Sequence, residues 1–150
     1  MKNLFEQERV AEVQQRIAQF RPDSVRQWGK MSQAQMLAHC SRAMEAALGD
    51  RKPPRMFVGR VIGRMVKRSL LGNDKPMGRN APTAPFLVVR DQPDFAAERT
   101  RLSELVDRFG RGGPKVCTSH PHTFFGPMSP DEWAILMYKH TDHHLRQFGA

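Results

Sequence analysis

The sequence predicts an all-α protein, on three observations. Apolar residues recur at intervals of three and four positions in five stretches of the chain, which is the spacing of one face of a helix. Two of these stretches open with a serine followed three residues later by Gln or Glu, at Ser32 and Ser129, as in a helix-capping box. Segments rich in Gly, Pro and Asn separate the stretches. A chain of 150 residues without an internal repeat is expected to form one domain, residues 1–150.

Each element can be placed along the chain from these signals. The predicted helices span residues 3–20, 32–48, 55–71, 94–109 and 129–148. Long loops are expected at residues 72–85 and 111–128, and the apolar run Phe86–Val89 is expected to be extended. Four helices would form the bundle, and the short basic helix at 55–71 would cover it with its apolar side. Such an amphipathic helix can instead bind a membrane surface.

The charge is unevenly distributed. The net charge is +9, and residues 51–90 hold ten Lys and Arg against the single acid Asp74. This basic segment allows contact with an acidic partner, but no nucleic-acid-binding motif accompanies it, so nucleic acid is the weaker interpretation. The two cysteines suggest no disulfide framework, and neither a signal peptide nor a membrane-spanning run is visible. We therefore expect a soluble, cytoplasmic protein without a membrane span.

Histidines occupy positions in the helices where apolar residues are expected. In the last helix His140 and His144 are four residues apart on the same face as Trp133 and Met137, so both can reach one metal ion. In the second helix His39 lies in the corresponding apolar stripe and is a third candidate ligand. Three neutral imidazoles leave an open position on Zn²⁺, which is typical of catalytic sites, and Ni²⁺, Fe²⁺ and Mn²⁺ also accept imidazole. The alternative is a polar network of core histidines without a metal.

Three blocks of the sequence carry a family resemblance. WGKMSQAQMLAHC, HPHTFFGPMSPDEW and KHTDHHLRQFG resemble the signature blocks of a bacterial family of unknown function within the DinB-like, or YfiT-like, superfamily. The resemblance covers nearly the whole chain. It implies a four-helix-bundle metalloenzyme in which one histidine of the second helix and two of the last hold a divalent metal, Zn²⁺ or Ni²⁺. These ligands correspond to His39, His140 and His144 here.

The resemblance also implies a class of chemistry. Characterised members of the superfamily include transferases and isomerases that use low-molecular-weight thiols such as bacillithiol, mycothiol or glutathione, and related bundles are often homodimers. A small-molecule substrate and thiol transfer are therefore expected, with metal-assisted hydrolysis as a second chemistry. The competing hypothesis is a catalytically inactive bundle that binds a small molecule, a protein or a nucleic acid through its basic region. No catalytic residue can be named from the sequence.

Further polar residues near the predicted ligands are candidates for supporting them or for lining a pocket. These are His143, Gln147, Asp142, His120 and His122. His143 could support a ligand, serve as a ligand in place of another histidine, act as a base or simply lie on the flank of the helix. Gln147 is expected to donate a hydrogen bond to one of the ligands. Asp142 could orient an imidazole, although an exposed position is the simpler expectation. The His120-Pro-His122 segment is expected at the mouth of the bundle.

Overall fold

The computed structural model describes residues 1–150 and contains five α-helices and no β-strand. The helices are α1 (Gln7–Gln19), α2 (Gln33–Leu48), α3 (Phe57–Leu71), α4 (Phe95–Gly112) and α5 (Pro130–Arg146). Two short 3-10 turns, Pro85–Leu87 and Gly113–Val116, interrupt the connections on either side of α4. The all-α prediction is confirmed.

Both predicted capping boxes are present. The Ser32 hydroxyl accepts the backbone N–H of Gln35 at 3.2 Å, and the Gln35 side chain accepts the backbone N–H of Ser32 at 3.0 Å. Ser129 and Glu132 make the same reciprocal pair at the start of α5, at 3.2 and 2.9 Å. Each box satisfies two backbone donors that the first turn of a helix leaves free. The boxes therefore define where α2 and α5, the helices that carry the candidate ligands, begin.

One apolar core is shared by the helices. α2 packs against α4 and α5, and α1 packs against the same two helices. The largest fully buried side chains are Trp133, Phe20, Phe109, Leu4, Ile17, Met36 and Leu37. None of the helices combines the length and the apolar composition needed to cross a bilayer.

The expected orientation of the basic helix is wrong. Most of the apolar residues of α3 point to solvent, and the buried positions are Gly59, Gly63 and Leu71. α3 carries apolar residues on more than one side, so the sequence pattern allowed two orientations. The glycine side faces the bundle because it permits a closer approach to the segment around Phe124.

The run Phe86–Val89 is not an extended strand. Pro85–Leu87 forms a 3-10 turn in which the Val88 N–H donates to the Pro85 carbonyl at 3.2 Å. Pro85 is suited to the start of such a turn because its ring fixes φ near the helical value. The turn packs against α2, so the long loop after α3 ends beside the candidate ligand helix.

Candidate metal centre

The three candidate histidines lie together between α2 and α5. The Nε2 atoms of His39 and His140 are 3.0 Å apart, and one ring nitrogen from each of His39, His140 and His144 lies within 4.8 Å of the others. His39 and His144 are buried, whereas His140 retains partial exposure. The i, i+4 spacing places His140 and His144 on adjacent turns, and α2 brings His39 to the same point.

Hydrogen bonds fix which ring nitrogen two of the three imidazoles, His39 and His144, offer. His39 Nδ1 lies 3.1 Å from the Leu87 carbonyl oxygen, and His144 Nδ1 lies 2.9 Å from Gln147 Oε1. Both oxygens can only accept, so each Nδ1 carries the proton and each Nε2 offers a lone pair. This pattern, in which a carbonyl orients the nitrogen that does not bind the metal, is common among metal-ligating histidines.

The orientation of the Gln147 amide is itself fixed. Its Nε2 donates to the Trp28 carbonyl oxygen at 2.8 Å, so Oε1 is the atom that faces His144. Gln147 therefore accepts from a candidate ligand, whereas the sequence predicted that it donates to one. Gly29 makes room for this contact, because a Cβ at that position would lie 2.3 Å from Gln147 Nε2. Gly29 also has a φ of +80°, a conformation that glycine adopts without strain.

The cluster is electrically neutral at neutral pH. Burial, with smaller contributions from neighbouring charges, lowers the pKa of His39 to about 4 and that of His144 to about 3. Burial and the adjacent His144 and His39 also hold the pKa of His140 well below its ordinary value. Three neutral imidazoles directed at one point are the donor set that Zn²⁺ and neighbouring transition metals prefer. The residues present therefore fit a divalent metal.

The model of a family described as a protein of unknown function, DUF1569, matches residues 3–150. The chain belongs to this DUF1569 family. No curated protein and no solved structure matches the chain. The DUF1569 match extends over both helices that carry the histidines and over the segments that hold Leu87 and Trp28.

His143 lies beside the cluster and lines a neighbouring cavity. Its ring centroid is 5.0 Å from that of His144 and 5.5 Å from that of Trp28. It lines a small cavity of ≈ 40 Å³ formed by Trp28, Pro76, Met77, Arg79, His143 and Arg146. Partial burial lowers the pKa of His143, so its imidazole is neutral near pH 7. This cavity combines two guanidinium groups with a neutral base next to the histidine cluster.

Asp142 does not contact any of the histidines through a hydrogen bond. Its carboxylate accepts from Arg16 at 2.8 Å, and Arg146 approaches it at 3.7 Å. The half-buried carboxylate thus joins α5 to α1 through Arg16. The sequence allowed Asp142 either to be exposed to solvent or to orient an imidazole, and in the structure it does neither.

The His120-Pro-His122 segment lies outside the histidine cluster. His120 donates from Nε2 to the Pro53 carbonyl at 2.9 Å, which holds the loop against the segment before α3. His122 Nδ1 accepts the backbone N–H groups of Phe124 and Phe125 at 3.1 and 3.0 Å. His120 and His122 also line a cavity of ≈ 10 Å³ together with Ala46, Pro53, Phe86, Pro121, Thr123 and Trp133.

Neither cysteine is suited to be a reactive thiolate. Cys40 is buried beside His39 in sequence, but its sulfur contacts the Met36 sulfur at 3.8 Å, and burial raises its pKa. Burial and the nearby Asp131 raise the pKa of Cys117 to about 11. A nucleophilic thiol at this site would therefore have to come from a bound molecule.

Three residues that support the cluster were not predicted from the sequence. They are Leu87 and Trp28, whose backbone carbonyls accept hydrogen bonds, and Gly29. Leu87 and Trp28 act through backbone oxygens, which leave no trace in side-chain patterns. Gly29 had one available signal, since it follows Trp28 within the WGKM block, in a connector where an αL glycine is common.

Proposed function

We propose that this protein is a metal-dependent enzyme of the DinB-like superfamily, in which His39, His140 and His144 hold Zn²⁺ or Ni²⁺. The observation that carries the proposal is the buried cluster of three imidazoles with ring nitrogens within 4.8 Å. A polar core network is the competing explanation, because one neutral ring can donate from Nε2 to Nε2 of the other across the 3.0 Å between His39 and His140. The metal is favoured because a nitrogen of a third ring, His144, lies within 4.8 Å of the other two, and the Nε2 lone pairs of His39 and His144 cannot bond to each other.

The leading chemistry is thiol transfer. A divalent metal at this site supplies positive charge that lowers the pKa of a thiol and so raises the share of thiolate. In the transfer, the thiol loses its proton and its sulfur forms a bond to an electrophilic carbon, while the leaving group departs with the electron pair of the bond it gives up. The protein's residues hold the reactants and accept the proton.

His143 is the residue proposed to take up that proton. It is neutral near pH 7, half-buried, and adjacent to His144 while lining the cavity with Arg79 and Arg146. A base in this position can accept a proton from a group bound in the cavity. His140, the one partly exposed member of the cluster, marks the side from which a small molecule would approach.

The cavity favours a substrate with an acidic part. Arg79 lies over the Trp28 ring at 4.2 Å without a carboxylate partner, and Arg146 is only loosely paired with Asp142 at 3.7 Å. Guanidinium groups bind carboxylates through paired N–H donors. Glutathione and bacillithiol carry carboxylates, so their charge matches that of the cavity, whereas mycothiol carries none.

Elemental analysis of tag-free protein tests the metal site. We expect about one metal ion per chain in the parent protein, and loss of the metal in a His39→Ala, His140→Ala, His144→Ala variant, because three ligands define the site. His120→Ala is the matched control, since it removes a histidine that lies outside the cluster. If neither parent nor control takes up Zn²⁺, Ni²⁺ or Mn²⁺, the metalloenzyme proposal fails.

Cobalt-substituted protein tests the thiol chemistry separately. Coordination of a thiolate to Co²⁺ adds a charge-transfer absorption band, so titration with glutathione, mycothiol or bacillithiol should produce that band for the thiol that binds. A serine analogue of the same compound is the control. Metal binding without a band for any thiol would retain the metal site, exclude thiol transfer and direct attention to hydrolysis.

A further inference from the structure

Helix α3 presents an apolar row to solvent. The exposed fractions are 81% for Phe57, 52% for Val58, 71% for Val61, 40% for Ile62 and 67% for Met65. Five of the eight large hydrophobic side chains that are exposed in the chain lie on this one helix. Single exposed apolar residues are ordinary, but a contiguous row is typical of an interaction surface.

The orientation of α3 is fixed by its opposite side. A Cβ at Gly59 would lie 2.4 Å from the Phe124 carbonyl oxygen, and one at Gly63 would lie 2.1 Å from the same atom. Lys67 donates to the Pro127 carbonyl and pairs with Glu132 at 2.8 Å. The apolar row therefore cannot turn inward without loss of the contacts that hold the helix to the bundle.

A row of arginines runs beside the apolar row. Arg60, Arg64 and Arg68 follow at four-residue intervals, so they lie on one side of α3, and all three are exposed. α3 contains no acidic residue, and only Lys67 among its basic residues is in an ion pair. The exposed surface of α3 thus combines apolar side chains with uncompensated positive charge.

This combination favours a negatively charged partner with an apolar interior. A second copy of the same surface is disfavoured, because two surfaces that each carry Arg60, Arg64 and Arg68 and no acidic residue of α3 would meet with like charge. A bilayer with anionic headgroups can bind both rows. Its acyl chains would surround the apolar side chains, and its phosphate and carboxylate groups would pair with the arginines. We propose that α3 binds peripherally to the surface of anionic lipid membranes.

Vesicle co-sedimentation tests the proposal. The protein should sediment with phosphatidylcholine vesicles that contain phosphatidylserine and remain in solution with phosphatidylcholine alone. Val61→Asp with Met65→Asp should abolish binding, because charged groups replace the inserted side chains. Arg60→Glu with Arg64→Glu should weaken binding at least about tenfold, because two headgroup contacts are reversed in sign.

Matched controls separate this surface from general effects. Val25→Asp changes an exposed valine outside α3, and Arg111→Glu reverses an exposed arginine at the end of α4. Both controls should bind as the parent does. All altered positions are exposed, and circular dichroism with thermal melting verifies that each variant is folded.

Three outcomes would overturn the proposal. The first is no sedimentation of the parent protein with phosphatidylserine vesicles. The second is equal binding by the parent and by both α3 variants. The third is a parent dimer, by light scattering after gel filtration, that Val61→Asp with Met65→Asp converts to a monomer. That result would assign the apolar row to contact between copies of this chain.

Discussion

The side chain of Gln147 links His144 of the histidine cluster to the backbone carbonyl of Trp28, which lies in the segment between α1 and α2. The Gln147 amide donates to the Trp28 carbonyl at 2.8 Å and accepts the Nδ1–H of His144 at 2.9 Å. A single side chain thereby orients His144 and is itself oriented by a backbone atom more than one hundred residues earlier in the sequence. The geometry of His144 depends on that pair of bonds.

Gln147→Leu should weaken metal binding about 10- to 100-fold, because His144 loses the acceptor for its Nδ1–H and is no longer held in one tautomer and orientation. Competition with a chromophoric chelator measures the change. Gln15→Leu replaces an exposed glutamine of α1 and should leave the affinity unchanged. Equal affinities for Gln147→Leu and the parent would mean that His144 is not a ligand or needs no support.

Gly63→Ala should destabilise the protein by about 1–3 kcal/mol, because the new Cβ would lie 2.1 Å from a backbone oxygen that cannot easily move. The loss should appear in urea unfolding. Gly78→Ala is the control, because a Cβ there meets no atom within 4 Å. A neutral Gly63→Ala would show that α3 can move away from the segment around Phe124 at little cost.

His122 should make stability depend on pH. Burial, and then the charge of Arg55, lowers the pKa of His122 to about 4 in the folded protein from 6.5. Between pH 6.5 and about 4 the unfolded chain binds a proton that folded His122 does not. The contribution to stability is therefore complete above pH 6.5 and decreases as the pH falls, by about 1.4 kcal/mol per pH unit.

The matched variant for this prediction is His122→Asn, whose side-chain oxygen can still accept the two backbone N–H groups but does not titrate. Its free energy of unfolding, measured with urea from pH 7 to pH 5, should decrease less steeply than that of the parent. The difference in slope should correspond to about one fewer proton taken up on unfolding. The same slope in both proteins would mean that His122 is protonated in the folded state.

Lys139→Met should lower the free energy of unfolding by about 1.5–3 kcal/mol. The buried ammonium group donates hydrogen bonds to carbonyl oxygens at the end of α3 and in the segment that follows, and the variant loses them. Lys139 Nζ donates to Leu70 at 2.7 Å, to Lys75 at 3.1 Å and also to Asn73. Hydrogen exchange should increase first in residues 70–75. The exposed Lys115→Met is the control, and similar exchange in both variants would contradict the prediction.

The histidine cluster could be anticipated from the sequence because its members lie in helices. A helix fixes the direction of each side chain from its position, so the spacing of His140 and His144, together with the stripe that holds His39, predicted which faces they share. Their packing partners could not be obtained in this way. The Leu87 carbonyl reaches His39 through a loop without periodicity, and backbone oxygens are the same for every residue type.

The orientation of α3 was unpredictable for a different reason. Val61 and Met65 lie on one side of the helix, while Val66 and Leu70 lie on the other, so hydrophobicity alone did not select the buried side. The contact between Gly63 and the Phe124 backbone decides it. That contact joins residues that are distant in sequence. It depends on the close approach of two backbone segments, which cannot be read from the amino-acid composition of α3.

The pairing of His39 with His140 joins positions that are 101 residues apart in the chain. Closing so long a segment costs conformational entropy that local helix formation does not recover, and helices in isolation would leave the two imidazoles far apart. A metal held by both helices would therefore be retained only while α2 and α5 are docked. Its release into a colorimetric chelator during denaturation should report the separation of these two helices, and a metal-loaded chain should unfold more slowly than a metal-free one.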